Sequence, residues 1–250
     1  MDLQKYREGE QEQARISDIF RLVPRGRKSV LEIGARDGYI SRRLAEHFAE
    51  VTALDLERPT WSIPGVTPVA GDVTRLEFPD DSFDCVVCTE VLEHIPSLEQ
   101  ACRELVRVAR HEILIGVPFR QDTRVGRTTC RRCGKVNPPW AHVNTFDEQV
   151  LSRLFSGLVI REKSFIGTNR EATNPVSTVL MDMAGNPWGT YDQDEPCIYC
   201  GAVLVAPNGR SGLARVYSAL AIRLDRLQAG FTKPHPNWIH VVFTKNGRTD

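Results

Sequence analysis

From Ser29 to Val117 the chain alternates apolar runs of five to seven residues with stretches of helical spacing. The strand candidates are residues 29–33, 51–56, 66–70, 83–88 and 111–117. Between them, Ile40, Leu44 and Phe48, and then Leu98, Ala101, Cys102, Leu105 and Ala109, recur with helical period. Strands that are apolar at nearly every position must be covered on both faces, and parallel neighbours need helical crossovers. The pattern therefore predicts an α/β fold with a doubly wound, mostly parallel sheet. A chain of 250 residues is long enough to bury one large core with an inserted subdomain.

The flanking segments divide by composition. Ile16, Ile19, Phe20 and Val23 predict an amphipathic helix or lid in residues 1–25, ahead of a core at 26–117. Residues 118–145 are rich in Arg, Cys, Gly and Pro and read as a first insertion. Residues 146–166 return to order, with Asp147 as a helix N-cap and 158–166 as a strand. An irregular second insertion covers 167–211. Residues 212–250 hold a helix striped by Leu213, Val216, Tyr217, Leu220, Leu224 and Leu227, then a last strand at 238–244. No apolar run reaches the ~18–20 residues needed to span a bilayer, and the start of the chain has no apolar signal core. These features predict a cytoplasmic protein whose seven cysteines are thiols or metal ligands rather than disulfides.

In an open α/β sheet, ligands gather at the C-terminal strand ends. Residues 34–38, 55–57, 71–73 and 88–94 all follow strand candidates, so they converge on one edge. The loop Gly34-Ala35-Arg36-Asp37-Gly38 lacks the second and third glycines of a dinucleotide fingerprint, where Arg36 and Tyr39 stand instead. Glu32, just before it, is a poor neighbour for a pyrophosphate but suits a cofactor carrying an ammonium and a sulfonium. Asp55 ends the second strand, where an acid commonly accepts ribose hydroxyls, and Asp72 can accept from an adenine amino group.

Taken with "FPDDSFDCVVCTEVLEHI" at 78–95 and "ACRELVRVAR", these positions resemble a class I S-adenosylmethionine-dependent methyltransferase over residues 26–117, more weakly over 142–160. The resemblance implies a Rossmann-like, seven-stranded sheet with a reversed last strand. It implies that Glu32, Gly34, Ala35 and Gly38 meet the methionine end of the cofactor, that Asp55 holds the ribose and that Leu56 is also cofactor-binding. By the same motif positions, Asp72 and Val73 meet the adenine and Thr89 lies beside the sulfonium. Arg36 departs from the family's usual central glycine and reads as an outward-pointing side chain. Cys85 and Cys88 fall inside a strand, where i and i+3 face opposite ways, and Cys102 lies on a helix; all three read as core thiols.

"CRRCG" (130–134) and "CIYCG" (197–201) are a different signal. Two CxxC pairs, each closed by glycine in an irregular segment, predict a structural zinc held by Cys130, Cys133, Cys197 and Cys200. Such a zinc knuckle subdomain joins two insertions that have little apolar surface to bury. For a methyl acceptor that must lose a proton, His94, His142, Glu90 and Glu93 are the candidate bases, with Glu90 and Glu93 read as supporting or surface acids. Between Pro118 and Val136 there are six basic residues and one acid, a set suited to a phosphate-bearing acceptor. Arg210, Arg215, Arg223 and Arg226 read as a solvated face. The reading favoured is methyl transfer to a hydroxyl or amine of a small molecule, such as a sugar. RNA held by the zinc module is the second reading, disfavoured by the zero net charge. A non-catalytic binding module is the third.

Overall fold

The computed structural model describes residues 6–209 and 211–245, which leaves Arg210 and both chain ends outside the described residues. Two compact units emerge. Among the described residues, one comprises 10–119, 146–167 and 238–245; the other comprises 6–9, 120–145, 168–209 and 211–237.

The first unit contains the sheet. Its strands are β1 (Ser29–Ile33), β2 (Glu50–Asp55), β3 (Val66–Ala70), β4 (Phe83–Thr89), β5 (Ala109–Pro118), β6 (Leu158–Ile166) and β7 (Trp238–Lys245). They lie in the order β3-β2-β1-β4-β5-β7-β6. The first five are parallel, and β7 runs antiparallel to both β5 and β6. This is the seven-stranded, last-strand-reversed sheet that the resemblance implied, and the order reverses between β1 and β4.

Alternation along the strands sorts the core onto two faces. Val30, Val51, Cys85, Val87, Leu114 and Val242 pack with Ile16, Ile19 and Phe20 of α1 (Glu10–Leu22) and Leu44 of α2 (Tyr39–Leu44). Leu31, Ile33, Val86, Cys88 and Ile115 face the other way, against Ala101, Cys102 and Leu105 of α3 (Leu98–Val108) and Leu151 of α4 (Glu148–Leu154). Cys85 and Cys88 thus lie in different cores, as their spacing required. Asp147 caps α4 by accepting from the Val150 amide at 2.9 Å. The second helix is shorter than its pattern suggested: it stops at Leu44, and Phe48 is buried from the turn beyond.

The second unit corrects one expectation. Residues 167–211 are not wholly irregular, because α5 (Pro175–Met183) forms there. Its start is set by Pro175 at the first helical position and by Asn174, whose side chain accepts from the Ser177 amide at 2.9 Å. The stripe on α6 (Gly212–Ala229) lies largely in the open. Leu213, Val216, Leu220 and Leu227 are exposed, whereas Ser218 and Ala221 are buried. Small residues permit close helix approach, and the Ser177 hydroxyl of α5 donates to the Ala221 carbonyl of α6 at 3.3 Å. Among the described residues, no helix is long and apolar enough to cross a membrane.

Candidate functional site

The glycine loop follows β1 and is shaped by backbone alone. Gly34 and Gly38 adopt φ of 81° and 77°, a left-handed region that costs other L-residues about 1–2 kcal/mol. Space excludes a side chain as well. A Cβ on Gly34 would lie 2.5 Å from Val91 Cγ2, and one on Gly38 would lie 2.7 Å from Ile63 Cδ1 and 2.8 Å from the Trp61 ring. The Gly34 amide donates to the Leu54 carbonyl at 2.8 Å, which ties the loop to the end of β2.

Asp55, at that end, holds the loop with one oxygen on the Arg36 amide and the other on the Leu56 amide, each at 2.8 Å. Arg36 uses only its backbone here. Its carbonyl accepts from the Trp61 indole at 2.9 Å, its φ is 41°, and its side chain is exposed. Glycine relieves a positive φ, so Arg36→Gly should leave both stability and cofactor affinity within about twofold of the parent. Calorimetric titration with S-adenosylhomocysteine checks this, and a tenfold loss would assign the guanidinium a binding role.

Glu32 lies beneath the loop at 3% exposure and accepts from the Ser41 hydroxyl. Burial pushes its carboxyl up to about 7; the Ser41 donor opposes this, and the charges of Asp55 and Asp37 add to it. Asp72 is exposed and engages its own turn, accepting from the Thr74 amide and hydroxyl at 2.8 Å. Val73 is buried and Leu56 exposed. Glu32, Asp55, Asp72 and Thr89 end or follow β1, β2, β3 and β4, so one sheet edge carries all four.

The end of β4 holds charges the sequence reading placed at the surface or in support. Glu93 is 1% exposed, and neither of its oxygens has a hydrogen-bond partner in another residue. Burial pushes Glu90 and Glu93 above the usual carboxylate range, and charge on Glu90 raises Glu93 further. Arg15 of α1 opposes this, with Nη1 4.0 Å from Glu90 Oε1, while its own guanidinium grips Glu12 at 2.5 and 2.8 Å. Trp238 donates its indole N–H to Glu90 at 3.1 Å.

His240 on β7 also went unrecognised. It is fully buried, its Nδ1 lies 2.8 Å from Asp18 Oδ2, and burial holds it below the ordinary imidazole range. A neutral ring facing a carboxylate places the proton on Nδ1 and leaves Nε2, which has no partner, beside Gly116. The signal was an imidazole set among the apolar residues of "WIHVVFT".

In the other unit, His142 is buried and its Nδ1 lies 2.6 Å from Gln121 Oε1. The two knuckles repeat one geometry. Cys130 and Cys197 amides donate to the Lys135 and Ala202 carbonyls at 2.9 Å, and Gly134 and Gly201 turn at φ of 71° and 67°. The Cys130–Cys200 and Cys133–Cys197 sulfur separations are both 3.7 Å, and all four sulfurs lie within 4.8 Å of one another. A disulfide needs about 2.0 Å. A tetrahedron with metal–sulfur bonds of about 2.3 Å needs roughly 3.8 Å between sulfurs, so the residues fit zinc. Burial raises the Cys197 thiol, but amide donors from Tyr199 and Cys200 outweigh it and draw its pKa to about 6.

Residues 31–114 match the family model described as a methyltransferase domain. Over those residues the chain is similar to class I S-adenosylmethionine-dependent methyltransferase domains. Within the curated proteins, an uncharacterized methyltransferase of Mycobacterium bovis is 31% identical over 91 residues, covering 34% of this chain and 46% of that protein. The ubiquinone biosynthesis O-methyltransferase of Leptothrix cholodnii is 28% identical over 92 residues, covering 31% and 39%. The chain thus spans less than half the length of these relatives. The methyltransferase fold extends further than sequence similarity does. The N-methyltransferase NodS of Bradyrhizobium japonicum, solved with S-adenosyl-L-homocysteine, aligns with a TM-score of 0.54 at 17% identity, over 96% of this chain and 90% of that one. YcgJ of Bacillus subtilis aligns with a TM-score of 0.55 at 15% identity, over 93% and 97%.

Proposed function

We propose that this methyltransferase domain moves a methyl group from S-adenosylmethionine to a hydroxyl or amine of a small molecule, a sugar or similar metabolite. The observation that carries the reading is the shared sheet edge of Glu32, the Gly34–Gly38 loop, Asp55 and Asp72. In this reading Glu32, Gly34, Ala35 and Gly38 receive the methionine end, and Asp55 with Leu56 the ribose. Asp72 and Val73 receive the adenine, and Thr89 neighbours the sulfur. The displacement is in line, so holding sulfur and acceptor in register supplies much of the catalysis. Glu90, His94 and His142 are the groups proposed to act on the acceptor's proton.

A small acceptor is favoured over RNA because the cations of the first insertion are partly spent within their own unit. Arg124 pairs with Asp122 at 2.8 Å, Arg127 pairs with Asp182 at 2.9 Å, and Lys135 stacks 4.6 Å over Tyr199. The knuckle sulfurs are proposed to hold a structural zinc, since four thiolates leave no open position for chemistry. Labelled-methyl transfer to a panel of hydroxyl and amine metabolites tests the function. Expected is transfer to at least one of them, lost in Asp55→Ala together with S-adenosylhomocysteine binding. Tight cofactor binding with no transfer to any acceptor, RNA included, would instead make the domain a binding module.

Glu32 makes the cofactor site pH-dependent. Its pKa of about 7 in the folded chain exceeds the ordinary 4.5. The folded state therefore holds an extra proton between those values. Its contribution to stability is complete below pH 4.5 and is lost as pH rises through 7, about 3 kcal/mol in all. A cationic cofactor end favours the ionised acid, so affinity should rise about tenfold from pH 6 to pH 8. Calorimetry across that range should show the rise in the parent and a flat profile in Glu32→Gln.

A further inference from the structure

The segment Glu90-Val91-Leu92-Glu93-His94 has a use the cofactor does not supply. β4 ends at Thr89, Glu90 turns with a φ of 56°, and a single 3-10 turn over Leu92–His94 follows. That turn delivers two acids and an imidazole to the same strand end. A carboxylate taken out of water costs several kcal/mol unless its oxygens find partners. Glu93 is 1% exposed with both oxygens unpartnered by other residues, and Glu90 Oε1 is unpartnered as well.

Arg15 does not resolve this deficit. Its guanidinium is committed to Glu12 through two hydrogen bonds and reaches Glu90 only at 4.0 Å. Three acids (Glu12, Glu90, Glu93) thus share this one guanidinium, which bonds Glu12 alone at hydrogen-bond distance. A ring nitrogen of His94 lies within 4.8 Å of a Glu93 oxygen. Two donors on one octahedral ion, each bonded at about 2.1 Å, stand roughly 3.0 to 4.2 Å apart, so the two side chains are near enough to share one.

We propose that Glu93 and His94, with Glu90 beside them, bind a divalent cation of the hard type, Mg2+ or Mn2+. Carboxylate oxygens with one imidazole, and coordination positions left for water or substrate, suit these ions, unlike the all-sulfur knuckles. The ion supplies the partner that the buried Glu93 oxygens lack. Its use in catalysis rests on the methyl-transfer reading. An acceptor hydroxyl bound to the ion gives up its proton to water more readily. The oxygen then forms its bond to the methyl carbon as the sulfur–carbon bond breaks. The products are the methylated oxygen, S-adenosylhomocysteine and one released proton.

Titration of the zinc-replete protein with Mn2+, followed by electron paramagnetic resonance, tests the site without activity, because zinc is silent in that measurement. Expected is one bound Mn2+ per chain, with affinity at least tenfold weaker in Glu93→Gln and in His94→Asn. Unchanged S-adenosylhomocysteine affinity in Glu93→Gln shows that the fold persists, and His94→Asn serves should that variant not fold. No bound Mn2+, or binding indifferent to both substitutions, overturns the site. The same titration with methylammonium as competitor excludes an acid pocket made for an amine: displacement of Mn2+ at equal affinity would overturn the metal. Should Mn2+ bind as expected while no acceptor is ever methylated, the proposed function fails and the site stands. Methyl transfer that persists without divalent cation beyond zinc removes the site's catalytic role and leaves the function intact.

Discussion

Replacing Cys197 with serine is expected to unfold the unit formed by residues 120–145 and 168–237 while the sheet keeps its structure. Structural zinc contributes on the order of 10 kcal/mol in small metal-bound domains, and an oxygen in place of one sulfur forfeits several of those. Around the knuckles, among the described residues, little apolar packing would replace the metal. The apolar cluster around the knuckles consists of Cys130, Cys197 and Leu204, with Tyr191, Cys200 and Ala202 partly buried against them. Two of its three fully buried members are the proposed ligands themselves. Hydrogen exchange followed by mass spectrometry reads the result. Amides of the Cys130 and Cys197 turns should exchange more than tenfold faster in the variant, or after chelation, with β1, β4 and β5 unchanged. Native mass spectrometry that finds intact thiols and no zinc would sink the site.

The second large effect is expected in the cofactor loop. Gly34→Ala places a methyl group 2.5 Å from Val91 Cγ2 at a φ of 81°. Both penalties act at once, and neither neighbour can retreat freely. Val91 lies in the turn between Glu90 and Leu92, and the Gly34 amide is bonded to Leu54. Stability should fall by about 2–3 kcal/mol, from the left-handed backbone plus overpacking. Affinity for S-adenosylhomocysteine should fall at least tenfold, because Ala35 and Arg36 move with the loop. Thermal melting and calorimetry measure the two losses separately. Retained affinity in Gly34→Ala would mean that the loop does not form the cofactor cradle.

The contrast between Gly34 and Arg36 shows what could be read without a structure. A glycine followed four residues later by another, between an apolar run and a helical pattern, demands a tight turn whatever the tertiary contacts. The turn is there. Arg36 seemed a defect in that motif, but its backbone adopts the required positive φ and bonds Asp55 and Trp61, so its side chain is free to face solvent. The role of Trp61 and Ile63 in roofing Gly38 had no local signature, because they come from the connection between β2 and β3. Glu93 was misplaced for a similar reason. Its burial depends on how the turn after β4 packs, and nothing in the pentapeptide predicts that.

Periodicity and local chemistry determined a great deal. Alternating apolar strands specify a parallel sheet covered on both faces. The Asp147 cap, the glycine turns and the paired CxxCG segments are short-range constraints that act wherever the chain goes. The sulfurs of Cys130 and Cys200, 70 residues apart, still needed the folded chain to bring them to 3.7 Å. Tertiary structure alone decided which buried polar groups meet, because that is a sum over elements distant in sequence: Arg15 from α1, Glu90 and Glu93 from the turn after β4, Trp238 and His240 from β7. It also decided that α6 buries Ser218 and Ala221 rather than its leucine stripe, since the approach of α5 selects for small side chains. Local propensity is a property of a few neighbouring residues. Desolvation and charge compensation belong to the whole assembled core, and they become visible only once it has formed.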